Sequence, residues 1–133
     1  MSPRAISFCV AAVVATVIAI AFGGALARPP ETSYARHFES GVYVCAACRT
    51  PLFPSDAKFA STTRWPSFRR AIPDAVRTRP DRAYGLERTE ALCARCGAHL
   101  GHLFEDGALA GDTDASAHWR YCILSASLDF EAR

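Results

Sequence analysis

The chain has little net charge. Its 15 lysines and arginines face 13 aspartates and glutamates, leaving +2. That near-balance gives no electrostatic case for a nucleic-acid surface, which needs a basic face. Lysine is almost missing: Lys58 is the only one, and no functional class follows from that bias. There is no internal repeat beyond two cysteine pairs and no low-complexity segment, and 133 residues suit one domain. Long helical periods are scarce. Short apolar or aromatic runs between turn signals take their place, which argues for a mostly β domain. No cysteine occupies a lipid-attachment position, because Cys9 lies inside the first apolar run.

That run belongs to residues 1–27. One early charge, Arg4, precedes 23 uncharged residues, 5–27, which close on Ala25-Leu26-Ala27. A small-x-small site after an apolar stretch is the layout of a secretory signal peptide. A stretch of this length also spans a bilayer, so an uncleaved membrane anchor is the alternative. Either way the domain is expected to be exported, to the periplasm or another extracytoplasmic space. It is membrane-bound only if the leader is retained. Residues 28–40 read as a linker: Pro29-Pro30 resists regular structure, and Thr32 or Ser33 can cap a turn over 34–38. The functional domain is expected over 41–133.

Within it, 41–44 reads as a strand, 51–53 as its return, 88–92 as another, and 119–124 and 127–130 as the last two. Residues 64–88 carry seven arginines and three prolines, Pro66, Pro73 and Pro80. This segment reads as a long, mostly exposed excursion. A solvated loop is the default, and a basic patch for an acidic partner is the sharper alternative. Asp106-Gly107 is a turn signal, and 111–118 is polar and loop-like.

The six cysteines divide unevenly. Cys9 is in the leader, Cys45/Cys48 and Cys93/Cys96 make two Cys-x-x-Cys pairs, and Cys122 stands alone. Four thiolates delivered from two tight turns suit one structural Zn²⁺, which would clip distant strand ends together. Disulfides in an oxidising compartment, or a redox dithiol, are the alternatives. A filled four-thiolate site leaves no position for substrate, so the pattern speaks of stability only. The unpaired Cys122 suggests a reactive thiol or an intermolecular bridge. Two residues before it, Arg120 supplies a permanent cation that favours thiolate over thiol. His99 and His102 are three apart and would face one site on a helix or tight turn. Alone they read more readily as core or surface histidines, and Trp65 alone as core.

Taken together these stretches form a pattern. Tyr43-x-Cys45-x-x-Cys48, Leu52-Phe53, Lys58-Phe59, Trp65-Pro66-Ser67-Phe68, Glu90-x-x-Cys93-x-x-Cys96-Gly97-Ala98-His99-Leu100-Gly101-His102, Asp106-Gly107 and Arg120-Tyr121-Cys122-Ile123 appear in that order. From about 41 to 130 the chain resembles the methionine-R-sulfoxide reductases of the MsrB type. The resemblance implies two antiparallel sheets in a tent-like arrangement, stiffened by the zinc knuckles, with few short helices. It implies reduction of the R epimer of methionine sulfoxide, free or in oxidised proteins and peptides, to methionine. Such an enzyme would repair oxidised exported proteins and draw on an external, thioredoxin-like thiol. Carried over by position, Cys122 is the nucleophile, left as a sulfenic acid. His99 and His102 bind and protonate the sulfoxide oxygen. Asp106 supports them by hydrogen bonding, Arg120 favours the thiolate, and Trp65 and Phe104 receive the substrate. Cys45, Cys48, Cys93 and Cys96 hold the zinc.

Three departures from the family pattern bear on mechanism. Many members carry a resolving cysteine where this chain has Thr63, so direct reduction of Cys122 by an external thiol is expected. Glycines common in the family are replaced by Thr62 and Arg64, which have less backbone freedom. Arg64 would either bind acidic sequence near the substrate or block access. Leu124 replaces an asparagine and cannot hydrogen-bond within the site. A non-catalytic zinc scaffold that binds a partner through the tryptophan loop is the alternative from another class. A third reading is a thiol enzyme for another small oxidised sulfur compound.

Overall fold

The computed structural model describes residues 34–133. Among these, β1 (Gly41–Cys45), β2 (Pro51–Pro54) and β9 (Leu128–Ala132) form a three-stranded antiparallel sheet in the order β2-β1-β9. A second, six-stranded antiparallel sheet contains β3 (Lys58–Phe59), β4 (Ser67–Phe68), β5 (Val76–Asp81), β6 (Arg88–Cys93), β7 (His99–Phe104) and β8 (Arg120–Ile123). Its order is β3-β4-β8-β7-β6-β5. The expected mostly β fold in two antiparallel sheets is what the chain adopts. The few helices are three-residue 3-10 turns at Ser55–Ala57, Ala83–Gly85 and Ser125–Ser127. No helix among the described residues is long and apolar enough to cross a membrane. The expected leader and the Thr32 or Ser33 cap lie outside the described residues.

Side-chain alternation along the strands builds the core. Tyr43 of β1, Phe53 of β2, Phe68 of β4 and Ile123 of β8 are fully buried in one cluster, with Tyr121 packed against it. Phe68 stacks on Phe53 with ring centroids 4.4 Å apart and meets Tyr43 edge-on at 5.1 Å. Burying each such ring contributes roughly 1.5–3 kcal/mol. The buried Tyr43 hydroxyl donates to the His37 carbonyl at 2.9 Å, so it costs little to bury.

Residues 64–88 are mostly exposed, as their composition suggests, but they are not one open loop. Ser67 and Phe68 are buried, and β5 pairs with β6 along its whole length, from Val76 opposite Cys93 to Asp81 opposite Arg88. β5 is an edge strand. Proline is tolerated there because its missing N–H can face the open side, and charged side chains protect the edge from pairing with another chain. The residues that read as loop are those of a protected edge.

Both cysteine knuckles use one turn. Arg49 N–H donates to the Cys45 carbonyl at 2.8 Å, and Gly97 N–H donates to the Cys93 carbonyl at 2.9 Å. The residue after the second cysteine is left-handed in each case, with φ of 67° at Arg49 and 76° at Gly97. Glycine adopts that conformation freely, whereas arginine does so at a cost. Arg49 meets Asp129 and Glu131 of β9 at 2.7 and 2.9 Å, which helps to hold it.

Candidate active site

The face of the larger sheet that turns away from the core carries the candidate residues. Strand register places Ser67 opposite Cys122, Cys122 opposite His102, His102 opposite Glu90, and Glu90 opposite Arg79. Directly opposed residues share a face, with Cβ atoms about 5 Å apart. One row across five strands therefore aligns a thiol, an imidazole, a carboxylate and a guanidinium. Two residues along, on the same face, Arg120 opposes Phe104 and Arg88 opposes Asp81. The intervening residues of β8, Tyr121 and Ile123, go to the core instead.

His99 reaches this face through a bulge. On a regular strand, residues three apart point to opposite sides. Here the β6–β7 ladder slips: Ala91 opposes Gly101 while Leu92 opposes His99, so Leu100 is the extra residue. The slip returns His99 to the side of His102, with ring centroids 5.4 Å apart. Gly101 makes the close approach of β7 to β8 possible. A Cβ there would collide with the Cys122 carbonyl oxygen and lie 2.9 Å from Ile123 Cα. The two histidines do share a site, on a bulged strand and not on a helix or tight turn.

Cys122, His99, His102, Arg120, Trp65 and Phe104 all line one cavity of about 340 Å³, together with Thr63, Arg88, Gly101 and Leu124. Trp65 is 39% exposed and stands as its open wall. Thr63 shapes that wall. Its hydroxyl lies 2.6 Å from Ser61 Oγ and donates to the Trp65 carbonyl at 3.2 Å, tying the loop into a compact turn. Leu124 presents an apolar side chain to the cavity. Arg64 is exposed and does not line it.

Each imidazole is held by its own carboxylate. His99 Nδ1 lies 2.6 Å from Glu90 Oε2, and His102 Nε2 lies 2.8 Å from Asp81 Oδ2. Arg79 sits 2.7 Å from Glu90, and Arg88 sits 3.7 Å from Asp81. The Arg79 bond, then the His99 bond, hold Glu90 below the usual carboxylate range; for Asp81 the His102 bond is the main cause. Ionised carboxylates accept only, so the bonded ring nitrogens carry protons. His99 Nε2 and His102 Nδ1 are left for a ligand.

Asp106 does not support the histidines as the resemblance implied. It grips Arg120 through two hydrogen bonds, from Nε to Oδ1 at 2.8 Å and from Nη2 to Oδ2 at 3.1 Å. It follows β7 just past its end, beside the start of β8, while the imidazoles look toward the β5–β6 hairpin. Asp81 and Glu90 take the supporting role. Glu90 stood in the motif three residues before Cys93 with no role attached. Asp81 gave no local signal at all, because only its pairing opposite Arg88 brings it in range.

The expected effect of Arg120 on Cys122 is also outweighed. Burial pushes the Cys122 thiol up, Arg120 pulls it down by less, and Asp106 adds to the rise. The resting site thus favours thiol over thiolate. Arg120 is itself buried, and its Nη1 has no hydrogen-bond partner. It stands as a cation and an unused donor for the thiolate once that forms. Asp106→Asn removes the carboxylate that raises the thiol. The pH midpoint for alkylation of Cys122 by iodoacetamide is expected to fall. A rise would show that Asp106 acts mainly by holding Arg120 in place.

The other four described cysteines gather elsewhere. Their sulfurs all lie within 4.8 Å of one another. Cys45 to Cys96 is 3.7 Å and Cys48 to Cys93 is 3.6 Å, each contact crossing from one knuckle to the other. These separations are far from the bond length of about 2.05 Å in a disulfide, and all four are free thiols. They can hold one metal ion between the end of β1 and the end of β6. Cys122 is not part of the cluster.

Comparison with known proteins shows the family. Residues 15–132 match the model of the SelR domain. The chain is 50% identical over 105 residues to peptide methionine sulfoxide reductase MsrB of Herminiimonas arsenicoxydans, covering 78% of this chain and 72% of that protein. It is 52% identical over 105 residues to the protein of that name from Methanosarcina barkeri, covering 78% and 70%. It is 45% identical over 101 residues to mouse mitochondrial methionine-R-sulfoxide reductase B3, covering 75% of this chain and 38% of that one. The shared domain contains the cavity, its thiol and the cysteine cluster alike, and the chain belongs to the SelR-domain family of MsrB-type methionine sulfoxide reductases.

Proposed function

We propose that this protein reduces methionine-R-sulfoxide, free or within polypeptides, to methionine at Cys122. The observation that carries the reading is the placement of Cys122 directly opposite His102 in the β7–β8 ladder, in one cavity with Trp65, Phe104 and His99. The aromatic wall suits the substrate's S-methyl group. The sulfoxide oxygen then points to the free imidazole nitrogens.

The steps balance as an oxygen transfer. Cys122 gives its proton to the free nitrogen of one imidazole, and Arg120 stabilises the thiolate. The sulfur lone pair attacks the sulfoxide sulfur, and an imidazole protonates the departing oxygen. The S–O bond breaks and the oxygen leaves as hydroxide, which then attacks the Cys122 sulfur of the resulting thiosulfonium. The bond between the two sulfurs breaks, methionine leaves with its electron pair, and Cys122 remains as a sulfenic acid. One equivalent of an external thiol condenses with it, releasing water and forming a mixed disulfide. A second thiol of the reductant resolves that disulfide and returns Cys122. Thr63 cannot take the resolving part, so a thioredoxin-like dithiol fits.

We read the ion between the knuckles as Zn²⁺. A tetrahedron of thiolates about 2.3 Å from zinc has edges of about 3.8 Å, close to the sulfur separations observed. With four protein ligands it supplies stability and no open position. The apolar leader supports an extracytoplasmic location, where repair of oxidised methionine serves exported proteins.

The test is turnover of the two epimers of a methionine-sulfoxide peptide with a dithiol donor. Consumption of the R epimer alone is expected. Equal consumption of both, or of the S epimer, would overturn the reading.

A further inference from the structure

A second hollow, of about 200 Å³, adjoins the active-site cavity. Four alanines line it: Ala46 and Ala47 from the first knuckle, Ala98 beside the second, and Ala126 from the turn after β8. His99 lines both spaces, so the hollow begins where the catalytic cavity ends. We propose that this hollow is a subsite that seats one aliphatic side chain of the substrate polypeptide, close in sequence to the oxidised methionine.

Chemistry and size both select that occupant. Some of the nearby polar atoms are already used: Ala46 N–H donates to the Ser127 carbonyl at 3.0 Å, and Ser127 Oγ donates to the His99 carbonyl at 2.9 Å. Cys45, which also lines the space, has its sulfur in the cysteine cluster. No carboxylate, lysine or arginine lines the space. A charged side chain placed there loses water and finds no opposite charge. An apolar one gains contact at no such cost. The volume is below the range of about 300–1,000 Å³ typical of whole-ligand pockets, and suits a single side chain. An extended polypeptide crossing His99 sends alternate side chains to the same surface. The methionine sulfoxide and a neighbour one or two residues away can then enter the two spaces together. This inference rests on the reading of the active site given above, and it concerns polypeptide substrates only.

The test uses glycine-rich peptides with one methionine-R-sulfoxide, in which leucine replaces glycine at each of the two positions on either side in turn. Free methionine-R-sulfoxide is the control substrate. Leucine at one position is expected to raise kcat/KM about tenfold over the all-glycine peptide. Ala126→Phe fills the hollow, and should erase that gain while leaving turnover of the free amino acid unchanged. Ala47→Phe closes it from the opposite wall and is expected to do the same. Ala126 and Ala47 have no part in the chemistry, so the control substrate also reports that each variant is folded. If no leucine position gives a gain, or if both folded variants keep it, the subsite is overturned and the catalytic reading stands. If the wild type turns over neither free nor peptide-bound R-sulfoxide, the catalytic reading itself fails and the subsite with it.

Discussion

Cys122→Ser is expected to lower kcat/KM for R-sulfoxide by roughly 10⁴-fold or more, with no measurable loss of fold. The two halves of that expectation have separate causes. A serine hydroxyl ionises far above the range of a thiol, and oxygen is a poor nucleophile toward sulfur. No neighbouring group can replace the attacking atom, since the remaining described cysteines are gathered at the knuckles. The fold, by contrast, should not register the change. Cys122 is only partly buried and lies on the outer face of β8, while the core is held by Tyr121 and Ile123. Chiral-substrate turnover and thermal unfolding, measured on one preparation, check both halves. Retained turnover with a normal melting curve would move the chemistry away from Cys122. It would also revive the reading of the domain as a binding scaffold.

The same residue shows how far the sequence could be read. The lone thiol, the paired cysteines and the Arg-Tyr-Cys block were legible because they are local patterns in the chain. The β class was legible because short alternating runs are local too. What escaped was anything fixed by register. Asp81 and Glu90 reach the histidines only because β5, β6 and β7 pair as they do. The bulge at Leu100 reverses the face of His99, and periodicity alone would have sent it to the other side. The family resemblance credited Asp106 with supporting the histidines, yet the connection from β7 to β8 delivers it to Arg120. The electrostatics of Cys122 failed for a related reason. Arg120 is visible as a neighbour in the chain, whereas the burial that outweighs it is a property of the packed sheet. β5 was hidden by its own edge chemistry, since arginines and Pro80 resemble a loop until their partner strand is known.

The largest structural effect should come from the metal. Removing the ion with a strong chelator is expected to abolish cooperative unfolding of the isolated domain. Domains of this size are stable by about 5–15 kcal/mol. Structural zinc bound by thiolates contributes an apparent ~10–16 kcal/mol near neutral pH, so its loss consumes the whole margin. The geometry explains why the effect is global. Cys45 ends β1 of the smaller sheet and Cys93 ends β6 of the larger one, and both are fully buried in the core cluster. An ion held there would therefore be a bond between the sheets at the edge of the core. Without it, four sulfurs within 4.8 Å of one another would have to take up protons or repel. Cys93→Ser should have a similar effect, because it removes one ligand and puts a hydroxyl among apolar side chains. Re-addition of one equivalent of Zn²⁺ should restore the melting transition to the chelated wild type, but not to Cys93→Ser. Turnover should disappear and return together with the fold. It should not vary with metal content while the protein remains folded, since a closed four-thiolate site takes no part in the chemical step. A metal-free protein that melts at the temperature of the holoprotein would show that the knuckles hold without an ion, through packing alone.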